Sequence, residues 1–271
     1  MLSDVDLSAY FSRIGYAGSP APNRETLAEL VLRHTMAIPF ENFDPLLGRP
    51  VRLEPEALVA KLVHGRRGGY CFEQNGLFWR VLETIGFEVT PLAARVLWNM
   101  AEDAITPRSH MLLRADLPEG PAIVDVGFGG AVLTGVLDLV ADVEQVTPHE
   151  PFRLLEQGGE WRLQIRINDE WRTCYRFDLH PQLAIDFEPI NWWVSTSPAS
   201  HFTQGLSCAR VLPDGRLAVR SGLFTRYGRD GSFERREVED ADEFCAILTR
   251  EMGIELPDRG AVTARLRELA G

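Results

Sequence analysis

In Gly68-Gly69-Tyr70-Cys71-Phe72-Glu73, two glycines deliver a cysteine to the start of an apolar-periodic stretch. Phe78, Val81, Leu82 and Ile85 follow at helical spacing, and Gly86 supplies the stop. The spacing predicts a helix with Cys71 at its N-terminal end. The first N–H groups of a helix have no intrahelical partner and carry partial positive charge, so an ionised thiol is stabilised there. Thiols in such places titrate anywhere from roughly 3.5 to 7.5 instead of about 8.5. A helix-start cysteine alone is more often a small core residue. A nucleophile also needs a base.

Ser109-His110-Met111-Leu112-Leu113-Arg114-Ala115-Asp116 and Pro121-Ala122-Ile123-Val124-Asp125-Val126 read as two arms of a hairpin around the turn-rich Leu117-Pro118-Glu119-Gly120. A turn centred near Pro118 brings His110 and Asp125 opposite one another or nearly so, depending on loop geometry. Directly opposed residues share a face with Cβ atoms about 4.5–5.5 Å apart. Asp125 stands among Ile123, Val124 and Val126, where an unpaired carboxylate is costly, and His110 is its obvious partner. A structural His–Asp tie between strands fits those two residues equally well. With Cys71 added, the three resemble the nucleophile, base and orienter of a cysteine acyl-transfer site.

The rest of the chain must hold these residues together. Its 271 residues, 45% hydrophobic and 25% charged, are those of an ordinary globular protein with two or three domains. The N-terminus lacks the regions of a signal peptide and no apolar run reaches membrane-span length, so a cytoplasmic protein is expected. A net charge of −11 with dispersed basic residues argues against nucleic-acid or anionic-membrane partners. Cys71, Cys174, Cys208 and Cys245 are scattered without CxxC spacing, so neither a disulfide framework nor a zinc site is expected, and the last three are assigned to the core.

The first ninety residues read as helices: Leu7, Tyr10, Phe11 and Ile14; then Leu27, Leu30, Val31 and His34 after the cap Asn23; then Leu58, Val59 and Leu62 after Pro55. From Phe87 the pattern alternates, as in Trp161, Leu163, Ile165 and Ile167, then Trp171, Thr173, Tyr175 and Phe177, the mark of a meander or small barrel. Beyond residue 208, short strands flank Pro213-Asp214-Gly215 and Gly228-Arg229-Asp230-Gly231. Two helices follow, with Phe244, Ile247 and Leu248, and with Val262, Leu266 and Leu269.

Arg66-Arg67-Gly68-Gly69-Tyr70-Cys71-Phe72-Glu73-Gln74-Asn75 resembles the signature of the arylamine N-acetyltransferases, in their prokaryotic form. Four other segments also resemble motifs of that family: Ile38-Pro39-Phe40-Glu41-Asn42-Phe43, Ser109-His110-Met111-Leu112, Val124-Asp125-Val126-Gly127-Phe128-Gly129 and Asn191-Trp192-Trp193-Val194-Ser195-Thr196-Ser197-Pro198. The resemblance implies an α+β fold of three domains with a core related to cysteine proteases and transglutaminases: a helical domain over 1–86, a β-barrel over 87–207 and an α/β lid over 208–271. It implies a triad at Cys71, His110 and Asp125, and acetyl-CoA as a co-substrate with no tightly bound cofactor and no metal. By the same route Gly127, Phe128, Gly129 and Gly130 form a CoA-binding loop, Thr106 is a further contact, and Phe40, Phe128 and Phe202 wall a site for a small aromatic amine or hydrazine. The Trp192-Trp193 pair and Ser197 depart mildly from the family pattern.

The chemistry implied is ping-pong transfer of an acetyl group through acetyl-Cys71, with the Cys71 backbone N–H as one oxyanion donor. Arg66 and Arg67 could meet phosphate or pair with carboxylates, and Glu73 could be a helix-start charge or a buried partner for such an arginine. A macrolactam-forming amide synthase would keep the same triad but need a longer acyl channel. A cysteine hydrolase or transglutaminase-like enzyme shares the order Cys, His, Asp, and a silent binding protein would hold an unreactive Cys71.

Overall fold

The computed structural model describes residues 1–220 and 222–270; Ser221 and Gly271, both within the 208–271 segment, lie outside the described residues. The helical start follows the sequence pattern. Helix α1 (Asp4–Ile14) is capped by Ser3, and α2 (Arg24–Ala37) by Asn23, whose side chain accepts from the Thr26 N–H. Short α3 (Phe43–Leu46) and α4 (Pro55–Leu58) follow, the latter opened by a first-turn proline and running on into a π-helical turn, Val59–His64. Helix α5 (Cys71–Ile85) begins at the cysteine and ends at Gly86 with φ 105°.

Eight antiparallel strands come next: β1 (Glu88–Val96), β2 (His110–Leu117), β3 (Gly120–Val124), β4 (Leu137–Asp138), β5 (Glu144–Gln145), β6 (Phe152–Gln157), β7 (Glu160–Ile167) and β8 (Glu170–Phe177). They form one sheet in the order β4-β3-β2-β1-β8-β7-β6-β5. The Gln145 side chain links the edge strands β4 and β5, accepting from the Asp138 N–H at 2.7 Å and donating to its carbonyl at 3.0 Å, so the curled sheet is a near-barrel.

Alternation along β2 sends Met111 and Leu113 against α5 and Leu112 into the barrel core with Leu154, Ile165 and Tyr175. Pairing sets Leu113 opposite Val124 and Arg114 opposite Ile123. Continued, that register places Leu112 rather than His110 across from Asp125, which lies just past the end of β3. His110 and Asp125 are therefore diagonal neighbours. A shift of two residues preserves the face, so the inference that they meet survives.

Residues 184–196, within the segment expected to be barrel, form α6 (Ala184–Thr196), which buries Phe187, Asn191, Val194 and Ser195. Pro189 inside it and exposed Ile185, Trp192 and Trp193 hide its periodicity. After α7 (His201–Gln204), strands β9 (Ser207–Leu212), β10 (Gly215–Arg220), β11 (Leu223–Gly228) and β12 (Phe233–Glu237) form a second sheet beside α8 (Ala241–Arg250) and α9 (Arg259–Ala270). Cys208 and Cys245 lie in that region's core and Cys174 in the barrel's; burial pushes the Cys174 and Cys208 thiols up. Among the described residues no helix is long and apolar enough to cross a membrane.

Candidate active site

The turn before α5 is built by close approach. A Cβ on Gly68 would stand 2.0 Å from the Pro39 carbonyl oxygen, and one on Gly69 2.7 Å from the Glu73 carboxylate. Only glycine lets this backbone lie against residues 39–41, where the Glu41 N–H donates to the Gly69 carbonyl at 3.2 Å. Cys71 is thereby fixed as the first helical residue, 5% exposed, with Sγ 3.7 Å from the Ser109 carbonyl oxygen beside His110.

His110 Nε2–H donates to Asp125 Oδ2 at 2.7 Å, and both residues are buried. That leaves Nδ1 for the thiol side. The other Asp125 oxygen accepts from Asn75 Nδ2 and from the Gly127 N–H, each at 2.9 Å. Burial alone would lower the imidazole and raise the carboxyl. The Asp125 charge and hydrogen bond, with the neighbouring Cys71 adding to them, instead carry His110 up to about 10, while His110, Asn75 and Gly127 hold Asp125 below the usual carboxylate range.

Asn75 had no assigned role beyond its place in the motif, yet it joins the elements: its amide also donates to the Met111 carbonyl at 2.7 Å and accepts from the Val126 N–H at 3.0 Å. Its spacing of four from Cys71 places both on one face of α5, and that was the available signal. Tyr175, read only as a strand residue, lays its ring 4.8 Å from that of His110, and its buried hydroxyl has no partner among the described residues. No local pattern marks it, because five strands separate its position in the chain from β2.

The glycine turn divides by function of space. A Cβ on Gly127 would come within 2.8 Å of Cys71 Cα and of Asn75 Nδ2, so this glycine lets the turn pack on the backbone of Cys71. Gly129 takes φ +79° against the Phe40 ring, and Gly130 faces open space. Phe128 sits edge-on to His110 at 5.1 Å and to Trp98 at 6.4 Å. Phe40 and Phe202 lie 6.0 Å apart on the other side, with Phe202 edge-on to Tyr70 at 5.6 Å. Thr106 is in the loop before His110, but its hydroxyl is committed to the Val96 carbonyl at 3.0 Å.

A sequence profile of the N-acetyltransferase family matches residues 23–261. An arylamine N-acetyltransferase of Mycolicibacterium smegmatis is 44% identical over 271 residues, covering 98% of each chain. One from Escherichia coli (strain K12) is 43% identical over 253 residues, covering 93% of this chain and 90% of the relative. The chain belongs to the arylamine N-acetyltransferase family. Its fold agrees: a solved Mycobacterium marinum arylamine N-acetyltransferase in complex with CoA superposes with TM-score 0.94 at 39% identity, covering 98% of this chain and 100% of that one.

Beneath the turn that leads into Cys71 runs a buried chain of charges. Glu41 takes Arg67 through Nε at 3.0 Å and Nη2 at 2.8 Å; Arg67 Nη1 reaches Asp44 at 3.0 Å. Lys61 then bridges Asp44 and Glu73 at 2.6 Å to each. Glu73 closes the chain by accepting from the Tyr70 N–H at 3.1 Å. Arg67 thus pairs with carboxylates, Arg66 is exposed, and the partner of Glu73 is Lys61 rather than an arginine. The π-helical turn that carries Lys61 has no signature in the sequence.

Proposed function

We propose that this chain is an arylamine N-acetyltransferase in which Cys71 carries the acetyl group, His110 moves the proton and Asp125 orients and charges the imidazole. The observation that carries the reading is the buried Nε2–H···Oδ2 bond of 2.7 Å, which turns the other ring nitrogen towards a cysteine at a helix N-terminus. A Cys71 thiolate beside a protonated imidazole attacks the acetyl-CoA thioester carbonyl. The oxyanion forms near the Cys71 N–H, and one oxyanion donor is worth roughly 3–4 kcal/mol of barrier. The C–S bond to CoA breaks, and the departing sulfur takes the His110 proton. In the second half an arylamine nitrogen attacks acetyl-Cys71, His110 accepts its proton, and the thiolate is released.

Thioester exchange is close to isoenergetic, so the acetyl group can wait on the protein while CoA leaves. Gly129 and Gly130 are the members of the turn proposed to offer backbone N–H groups to the CoA phosphates. Gly127 serves the nucleophile's packing, and Thr106 contributes to the wall of the donor channel. Phe40, Phe128 and Phe202 would grip a flat acceptor; Phe128 stands first because it touches His110.

Intact mass after exposure to acetyl-CoA tests the reading. One acetyl adduct is expected, absent in Cys71→Ala and discharged on adding an arylhydrazine. A folded protein that consumes acetyl-CoA without an adduct on Cys71 would refute it.

A further inference from the structure

We propose that Glu73 is a positioning residue for the reaction: it clamps the turn that presents Cys71, and its charge is coupled to that of the thiol. The inference rests on the reading of Cys71 as nucleophile. Glu73 is 2% exposed, in the first turn of α5, with one oxygen on the Tyr70 N–H and the other on Lys61. The chain Glu41, Arg67, Asp44, Lys61, Glu73 alternates in sign and starts and ends on a carboxylate. Fully ionised, it carries one negative charge more than its cations neutralise, in an interior where unbalanced charge is costly.

The excess falls on Glu73. Asp44 has two cations, and Glu41 and Glu73 each share a single cation with it, but Arg67 gives Glu41 two N–H donors where Lys61 gives Glu73 one. What remains to balance it is the partial positive charge at the N-terminus of α5, the same resource a Cys71 thiolate uses. Two anions two residues apart on one helix end then compete, and each disfavours the other. The groups facing Glu73 are Lys61 from the π-helical turn, Asp44 from α3, Glu41 ahead of it, Arg67 and Tyr70 from the nucleophile turn and Cys71 on its own helix, with His110 and Asp125 beyond. Burial, with Glu41 and Asp44 against Lys61, carries the Glu73 carboxyl up to about 7.

The test follows Cys71 alkylation by iodoacetamide across pH 4–9, by intact mass, in the full chain and in Glu73→Gln, with Cys71→Ala as blank. The Gln variant keeps an acceptor for the Tyr70 N–H and loses the charge. The parent profile is expected to depart from a single-ionisation curve near neutrality, by about threefold in rate, and the variant profile to fit a single ionisation. Superimposable profiles in a folded variant overturn the proposal.

Should Glu73→Gln not fold, carbon-detected NMR of glutamate carboxyls in the parent chain serves. One carboxyl titrating near neutrality is expected to move down by about half a pH unit when Cys71 is alkylated, and no movement overturns the proposal. A coupled alkylation profile without an acetyl adduct supports the role of Glu73 and overturns the transferase reading instead.

Discussion

Two buried histidines, His110 in the site and His34 in the helical core, are 2% and 0% exposed and are shifted in opposite directions. His34 donates from Nε2 to Gln74 Oε1 at 2.7 Å and accepts from the Tyr10 hydroxyl at Nδ1, 2.9 Å away. Its burial, only partly offset by the Gln74 bond and aided by the Arg13 charge, takes it down to about 4. His110 has comparable burial, yet the Asp125 carboxylate takes it up to about 10. Burial sets the size of the penalty on charge; a partner's own charge decides whether the penalty is overcome. One histidine is held as a neutral strut; the other is held charged, as the proton carrier proposed above requires.

The sharpest way to break this contrast is Asp125→Asn, which gives His110 the kind of neutral amide partner that His34 has. The Asn75 and Gly127 donors would then face an amide, and the imidazole would lose both its charge and its preferred tautomer. Acetyl transfer to an arylhydrazine is expected to fall about ten-thousand-fold, by analogy with orienter loss in acyl-transfer triads. Retention of more than a tenth of the parent kcat/KM would show that Asp125 does not set the base.

Next in size is Asn75→Ala, which strips the ties from α5 to Asp125, the Met111 carbonyl and the Val126 N–H. Orphaning these buried groups is expected to cost about 2–4 kcal/mol in urea unfolding, and misplacing the pair relative to Cys71 about a hundredfold in kcat/KM. A loss of stability alone would make Asn75 a strut like Gln74.

These neighbours show what the sequence could tell and why it stopped. Cys71, His110 and Asp125 were legible because each sits at a place local rules mark: a helix start after two glycines, and two positions on a hairpin. Gln74 and Asn75 carry no signal beyond their place in the motif and Glu73 reads either as a helix-start charge or as a buried partner, yet Glu73, Gln74 and Asn75 are 2%, 1% and 0% exposed. They diverge to Lys61, His34 and Asp125, three networks on three sides of α5. Which partner each finds depends on a π-helical turn, a helix whose His34 lies 40 residues earlier in the chain and the end of a barrel strand, none visible in the spacing around Cys71. The exact pairing of β2 with β3 lies beyond the sequence for the same reason, since turn geometry near Pro118 fixes it and the residue pattern carries parity alone. Helix α6 escaped notice because its exposed tryptophans and internal proline erase the amphipathic signal.

The two histidines also make opposite predictions for stability against pH. From 6.5 down to about 4 the unfolded chain binds a proton that folded His34 refuses, so this group's contribution is lost as pH falls through that window. From 6.5 up to about 10 folded His110 keeps a proton that the unfolded chain has released, so its contribution is complete below 6.5 and lost as pH rises. Each slope is about 1.4 kcal/mol per pH unit at most. Between 4.5 and about 7 folded Glu73 keeps a proton that the unfolded chain has released and so offsets the His34 slope; urea midpoints are expected to peak near the ordinary histidine value in Glu73→Gln, with a flatter acid side in the parent. Above pH 4, Asp125→Asn should flatten only the alkaline side, and flattening between pH 4 and 6.5 would mean the two networks are not independent; below pH 4 the loss of the Asp125 carboxyl itself flattens the acid limb as well.

The smallest expected effect isolates the strut. Tyr10→Phe removes one hydroxyl and leaves His34 Nδ1 without its donor, while Gln74 still holds Nε2. A lost buried hydrogen bond costs about 1–2 kcal/mol, measurable as a shift in urea midpoint. Gln74 keeps its grip on the Pro39 carbonyl at 2.9 Å and on the Gly69 carbonyl at 3.3 Å, so the turn that presents Cys71 should not move. Acetyl transfer at 25 °C is expected to stay within about twofold of the parent, because the change never reaches the charged pair. A larger loss of kcat at unchanged fold would mean that His34 communicates with Cys71 through Gln74, and the division between strut and proton carrier would have to be redrawn.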